Sequence, residues 1–252
     1  MRQFLKAGMG LAACFAVAAG VAGAQQAART PMATLPTADQ VLAKYVQAVG
    51  GKAAIEKLSS RVTKGTVDPG GGPVLGLEIN EKAPDKFLSQ VDVPGLGAVR
   101  QGFDGTVAWE SNPQQGVQEL GGTMLAAARR NAQFYRWLRM RELFAKLDVP
   151  GTTKVGDREA YVLEATPQAG YAERFYFDTE TGLLLRREYK VDGPDNVIAF
   201  EMYYDDYREV DGIKLPFALR RVGPDNVLLL RYSEIKHNVA LDDARFAKPA
   251  IP

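Results

Sequence analysis

The sequence contains few of the side chains that most catalytic and metal sites require. Its 252 residues include one histidine, His237, and one cysteine, Cys14. A catalytic triad needs a histidine beside a nucleophile, and a zinc site needs several histidine or cysteine ligands. We therefore predict no metal, no cofactor and no catalytic residue. His237 is interpreted as structural, with a catalytic or pH-sensing role as the alternative.

Charge of one sign is not in excess either. Lys and Arg total 31, Asp and Glu total 30, and basic residues do not alternate with aromatic ones as in single-strand binders. Nucleotide fingerprints are also missing, since the glycine run at 70–72 is not followed by Lys-Ser or Lys-Thr. These absences predict no nucleic-acid partner and no phosphate loop.

Adjacent carboxylates occur twice, at Asp205-Asp206 and at Asp242-Asp243. Neighbouring residues of a strand point to opposite faces, so the first pair cannot form a dyad from one strand. The second pair occupies a position that is typical of a turn or a short helix cap. Solvated carboxylates are favoured over a calcium site at both places.

The N-terminus has the pattern of an export signal. Arg2 and Lys6 precede an apolar run over 7–21, and the small residues of 22–24 form a cleavage site. We predict a signal peptide over 1–24, cleaved after Ala24, and a periplasmic mature protein. A retained membrane anchor is the alternative, although the run is short for a bilayer span. A second alternative is lipidation at Cys14, because Leu11-Ala12-Ala13-Cys14 resembles a lipoprotein box.

The remaining length suits one domain, predicted over 37–249 after a flexible linker over 25–36 that is rich in Ala, Thr and Pro. Thr37 with Gln40 forms a capping box, which predicts a helix that ends at Gly50-Gly51. A short helix over 53–58 is expected next.

Most of the domain has the two-residue periodicity of antiparallel strands. Between residues 171 and 237, apolar residues alternate with polar ones, and turn residues recur at regular intervals. Two connections share the sequence Gly-Pro-Asp-Asn-Val, at 193–197 and 223–227. We predict a mainly β (α+β) fold in which one large curved antiparallel sheet of about eleven strands is covered by helices.

One long helix is predicted inside the sheet region, over 121–147. Its apolar face is interpreted as a lid over the sheet, through Met124, Tyr135 and Leu138. The other faces carry arginines, which favour a solvated surface or, as the alternative, contact with an anionic membrane or an acidic partner. These arginines are Arg129, Arg130, Arg136, Arg139 and Arg141.

Three separated segments resemble the motifs of one family. Residues 82–87 (KAPDKF) are similar to K-x-P-x-x-F, residues 104–113 (DGTVAWESNP) to D-G-x-x-x-W-x-x-N-P, and residues 243–249 (DARFAKP) to D-A-x-F followed by proline. Together they resemble the LolA-like periplasmic carriers of outer-membrane lipoproteins. The resemblance implies a half-open barrel whose apolar interior holds acyl chains. Members of that family use an arginine before the motif proline to latch the lid, whereas this chain has Ala83, which has no donor.

A sheet that curls without closing leaves more concave apolar surface than short helices can cover. We therefore predict a ligand cavity lined by Leu75, Leu77, Ile79, Phe87, Trp109, Phe175, Phe177, Ile198, Phe200 and Met202. The function predicted is a monomeric, non-enzymatic carrier or sensor that binds a lipid or lipoprotein acyl chains. One alternative is a structural or interaction module of the envelope with a filled core. The third hypothesis is an enzyme that acts on a lipid or glycan.

Overall fold

The computed structural model describes residues 34–193 and 195–250. The predicted signal peptide, Cys14 and most of the predicted linker lie outside these residues. No helix within the described ranges is both long and apolar enough to span a bilayer.

The first helix begins at the predicted capping box. The Thr37 amide donates to Gln40 Oε1 at 2.8 Å, and the Gln40 amide donates to Thr37 Oγ1 at 3.3 Å. Helix α1 spans Ala38–Ala48 and buries Val41, Leu42 and Tyr45 against the sheet. A short helix, α2, follows at Lys52–Glu56.

The long helix predicted over 121–147 is instead three short pieces. Helix α3 spans Gly122–Ala132, a 3₁₀ turn spans Arg136–Leu138, and helix α4 spans Met140–Leu143. The prediction of one continuous helix is wrong because the Phe134 amide donates to Pro84 O at 3.0 Å, outside the helix. Aromatic residues over 134–137 also have lower helix propensity than the alanines before them.

Thirteen strands form one antiparallel sheet within the described residues, two more than the number predicted. Strand β6 explains part of the difference, because it is short and mostly exposed and therefore has no apolar alternation to detect. The strands are β1 (Ser60–Asp68), β2 (Leu75–Lys82), β3 (Lys86–Val93), β4 (Gly97–Phe103), β5 (Ala108–Asn112), β6 (Gly116–Leu120), β7 (Lys146–Val155), β8 (Arg158–Thr166), β9 (Glu173–Asp178), β10 (Leu184–Asp192), β11 (Val197–Val210), β12 (Ile213–Val222) and β13 (Val227–His237).

The strand order is β6-β5-β4-β3-β2-β1-β13-β12-β11-β10-β9-β8-β7. Strands β6 and β7 are the two ends, so the sheet is open within the described part of the chain. At the centre of the sheet β1 pairs with β13, from Arg61 opposite His237 to Asp68 opposite Leu229. Hairpins account for the neighbours on each side, and the two Gly-Pro-Asp-Asn turns each close with a glycine amide donating to an asparagine carbonyl.

The two faces of the sheet carry different partners. Across β3, β4 and β5 the register aligns Phe87, Phe103 and Ala108 on one face, and α3 packs on it through Leu125, Ala128 and Ala132. We call this the inner face. On the other, outer face, Leu88 and Trp109 pack against Phe246 near the C-terminus.

Candidate functional site

A covered cavity of about 380 Å³ lies between α3 and the inner face of the sheet. It is bounded on one side by β3 and β4 and on the other by β10, β11 and β12, which are brought opposite each other under α3. Its volume falls within the range of small-molecule pockets, about 300–1,000 Å³. We call it the interior cavity.

The lining of the interior cavity is largely apolar on both sides. Six lining residues are aromatic and two are methionines, and methionine adapts readily to ligands of different shape. Of the predicted cavity and lid residues, the structure brings Phe87, Phe200, Met202 and Met124 together here. The apolar and aromatic lining comprises Phe87, Phe103, Leu120, Met124, Ala127, Ala128, Tyr171, Tyr189, Val191, Phe200, Met202 and Tyr204.

Phe175 and Phe177 do not line this cavity, contrary to the prediction. They are 0% and 1% exposed and belong to a packed core beneath α1 and the 3₁₀ turn. The Trp137 ring lies 5.4 Å from the Phe175 ring, and the Tyr45 ring lies 5.2 Å from the Phe177 ring, centroid to centroid. The inner face therefore has two parts. At one end of the sheet its side chains form packed core, and farther along the sheet they line the interior cavity.

The prediction that Trp109 lines the cavity is also wrong, because Trp109 lies on the outer face. It is 1% exposed, and its Nε1 donates to Phe246 O at 2.9 Å. Gly102 on the neighbouring strand makes room for the ring, since a Cβ there would lie 2.4 Å from Trp109 Cε2. The preceding residue, Ala108, takes the inward position instead.

The remaining predicted cavity residues do not line the interior cavity. Leu75, Leu77 and Ile79 of β2 share the inner face with Phe87, because the register pairs Leu77 with Val91. Ile198 of β11 lines a second hollow, described below.

Of the predicted lid residues beyond α3, Tyr135 attaches the helical cover to the segment between α2 and β1. The Tyr135 hydroxyl donates to Leu58 O at 2.7 Å, and Leu138 lies in the 3₁₀ turn. Together with the bond from the Phe134 amide to Pro84 O, these contacts hold the cover beside Ala83. The helical cover is therefore tied to the rest of the chain by a backbone hydrogen bond and a tyrosine hydroxyl.

The five arginines of the helical segment do not share one surface. Arg139 pairs with Glu142 at 2.5 Å and Arg141 pairs with Asp39 at 2.8 Å, while Arg129 is exposed on α3. Arg130 and Arg136 are directed inward. The interpretation as a common membrane-facing group is wrong because the helix ends at Ala132, and its periodicity does not continue to the later arginines.

Inward-facing arginines instead form a buried charge network around one carboxylate. Glu173 Oε2 accepts from Arg187 Nε at 2.8 Å, and its Oε1 lies 3.7 Å from Arg130 Nη2. Arg136 has no carboxylate partner among the described residues, and its Nε is buried without a partner. Burial, and then the Arg187 charge, lower the pKa of Arg136 to about 10.

Sequence reasoning missed several polar residues of the cavity, among them Arg187, Arg221 and Tyr189. Arg187 Cζ lies 4.8 Å from the Tyr189 ring centroid, and Arg221 Cζ lies 5.0 Å from the Phe200 ring centroid. The alternation of β10, with Arg187, Tyr189 and Val191 on one face, is visible in the sequence. Which face is inward is decided only by the helices packed against it.

A larger hollow of about 740 Å³ lies beside the interior cavity, at the ends of β8 to β12. Its lining includes the consecutive residues Glu188, Tyr189 and Lys190, which alternate between faces, so it wraps around strand ends and is not enclosed by one face. Tyr189, Lys190 and Phe200 border both hollows. We interpret the larger hollow as the rim of the interior cavity.

The three family-like segments meet on the outer side of the sheet. Lys82 Nζ donates to Leu241 O and to Asp243 Oδ1, both at 2.7 Å, and Lys86 Nζ lies 3.1 Å from Asp243 Oδ2. Trp109 holds Phe246 of the same segment. These motifs therefore form a joint that fixes the C-terminal segment, and Phe87 is their one residue that also lines the interior cavity.

Both acidic pairs make local contacts. Asp242 caps a short 3₁₀ turn, Asp243–Phe246, by accepting from the Ala244 amide at 3.0 Å. Asp206 pairs with Arg208 at 2.6 Å on the surface. The described residues contain no group of three or more His, Cys, Asp or Glu side chains positioned to hold a metal.

The architecture defines a class: an open antiparallel sheet, curled around a cavity that short helices cover. Comparison with solved structures identifies the fold as LolA-like. A LolA superfamily protein from Nitrosomonas europaea aligns with a TM-score of 0.57 at 14% identity, covering 85% of this chain and 99% of that one. A DUF1329 family protein from Desulfovibrio piger aligns with a TM-score of 0.57 at 17% identity, covering 83% of this chain and 97% of that one. No protein-family model and no curated protein sequence match the chain.

Proposed function

We propose that this protein is an exported, monomeric envelope protein that binds a lipid or the acyl chains of a lipid-modified protein in the interior cavity. The observation that carries the proposal is the apolar, methionine- and aromatic-lined space between α3 and the sheet. Burial of a hydrocarbon chain there gains about 0.8 kcal/mol per methylene group. Such a site binds without covalent chemistry, which fits a carrier or sensor better than an enzyme.

The N-terminal pattern supports a periplasmic location. The charged start, the apolar run and the cleavage site after Ala24 direct the chain to export, and removal of 1–24 would leave a mature chain with no cysteine. Lipidation at Cys14 is the alternative route to the same envelope compartment.

A second function, that of an interaction module with a filled core, is favoured by one observation. The inner face beneath α1 is solidly packed, with fully buried Phe175 and nearly fully buried Phe177. The interior cavity would then need to be an incidental gap between two packed regions.

Native mass spectrometry of the protein isolated from its own cell envelope distinguishes the two. Carriage predicts a co-purified acyl-chain species whose occupancy falls in Ala127→Phe, because residue 127 lines the interior cavity. The matched control is Ala126→Phe on the same helix, at a position outside the lining. A protein without any bound species, and without a mass shift after incubation with hexadecanol, would contradict carriage.

A further inference from the structure

The charged groups around the interior cavity are mainly positive. Arg130, Arg187, Lys190 and Arg221 line it, and Asp192 is the acid among its lining residues. Asp192 is already held by Tyr171, whose hydroxyl donates to Oδ1 at 2.5 Å, and by Thr123. Behind the lining, Glu173 forms ion pairs with both Arg130 and Arg187, which offset its negative charge.

Arg221 and Arg136 are the inward arginines that pair with no described carboxylate, and of these two only Arg221 lines the interior cavity. Arg221 lies opposite Met202 in the register of β11 and β12, and its guanidinium lies over the Phe200 ring. Its Nε is buried and has no hydrogen-bond partner among the described residues. A buried donor without a partner is unfavourable, and the same guanidinium lines the interior cavity, where it can bind an anion.

Arg221 also adjoins the apolar part of the cavity. Phe200 contributes to both hollows, and Met202, directly opposite Arg221, contributes to the apolar lining. A planar guanidinium offers two parallel donors to a carboxylate or a phosphate. An anion and a hydrocarbon chain can therefore be bound next to each other in one cavity.

We propose that the ligand is an acidic amphiphile, with its carboxylate or phosphate on Arg221 and its hydrocarbon chain against the apolar lining beneath α3. This inference rests on the proposed function and specifies the chemistry of the ligand. The positive charges of Arg187 and Arg130 also attract the anion. Arg187 keeps its hydrogen bonds to Glu173 and Asn131, and Arg130 keeps its hydrogen bond to Ala169 O.

The test compares hexadecanoate, hexadecyl phosphate and hexadecanol as competitors of Nile red, a neutral fluorescent probe. The wild-type protein should bind both anionic ligands at least about tenfold more tightly than the alcohol, as expected for charge-assisted hydrogen bonds. Arg221→Gln should lose this preference and keep its affinity for hexadecanol. Arg221→Lys should retain part of the preference, and it also tests the idea if Arg221→Gln folds poorly.

The matched control is Arg220→Gln, because Arg220 is the adjacent residue, exposed on the outer face over the Tyr203 ring. This variant should behave as wild type. Equal affinity of the wild type for the acid and the alcohol would overturn the inference while leaving the proposed function intact.

Two further outcomes are informative. Binding of none of the three ligands would overturn the proposed function and the inference with it. If inorganic phosphate alone, measured by calorimetry, bound as tightly as hexadecyl phosphate and depended on Arg221, the site would recognise a free anion, and the amphiphile proposal would be wrong.

Discussion

The imidazole of His237 is buried beside a carboxylate. The side chain is 1% exposed, its Nδ1 lies 3.0 Å from Asp211 Oδ2, and its Nε2 is buried without a partner among the described residues. Burial lowers the pKa of His237, and the nearby Arg61 charge acts in the same direction. Asp211 and, more weakly, Glu81 oppose this shift.

Because the folded-state pKa of His237 lies below its ordinary value of 6.5, the unfolded chain takes up this proton first as the pH falls. The histidine therefore stabilises the fold above that value, and this contribution is lost at lower pH. We expect urea unfolding at about pH 7.5 and about pH 5 to show a larger stability loss for wild type than for His237→Gln. Equal losses in the two proteins would contradict this assignment.

Gly102 is required by the indole packed over it. Ala at this position would place a Cβ 2.4 Å from Trp109 Cε2, and we expect Gly102→Ala to lower the free energy of unfolding by about 1–3 kcal/mol. Gly76→Ala is the control within a strand, since the nearest atom to a Cβ there is Asp92 Oδ2 at 3.8 Å. Similar small effects at both positions, by denaturant titration, would show that the outer face tolerates the methyl group.

At the scale of elements, the helical cover is attached through a few polar contacts beyond α3. The Tyr135 hydroxyl bonded to Leu58 O is one of them, so Tyr135→Phe should increase hydrogen exchange over 122–143. The stability loss expected is about 1 kcal/mol. Tyr161→Phe is the control, because Tyr161 lies in β8 and not in the helical cover. Unchanged exchange over 122–143 would mean that the tie does not hold the cover.

Local signals predicted the elements whose determinants are local. The capping box of α1 and the repeated Gly-Pro-Asp-Asn turns lie where the sequence indicated them. The break after α3 was not predictable, because it depends on the hydrogen bond from the Phe134 amide to Pro84 O, about fifty residues earlier in the chain. Hydrophobic periodicity alone carries no information about such a contact.

The candidate site could be predicted only in part, for a related reason. Phe177 and Phe200 have the same alternation, yet one is core and the other lines the cavity, because α1 and the 3₁₀ turn cover only part of the inner face. Arg187 and Arg221 are inconspicuous in the sequence among thirty-one basic residues. Their inward position depends on register and on helix packing.

At the scale of the whole molecule, the sheet joins its first and last strands at the centre. The pairing of β1 with β13 is the most non-local contact of the sheet, and the family-like motifs add a second joint between the C-terminal segment and β3 and β5. The motifs therefore indicated the LolA-like fold correctly although, apart from Phe87, they lie outside the interior cavity. They stabilise the framework around the cavity, while the lining determines what is bound.

The central claim is that the space beneath α3 is an apolar binding site. A crystal structure of the protein with hexadecanoate tests it most directly. The account predicts hydrocarbon density against Met124, Phe200 and Met202, with the carboxylate at Arg221. Density confined to the open rim near Val197, or a cavity closed by side chains with no ligand inside, would contradict it.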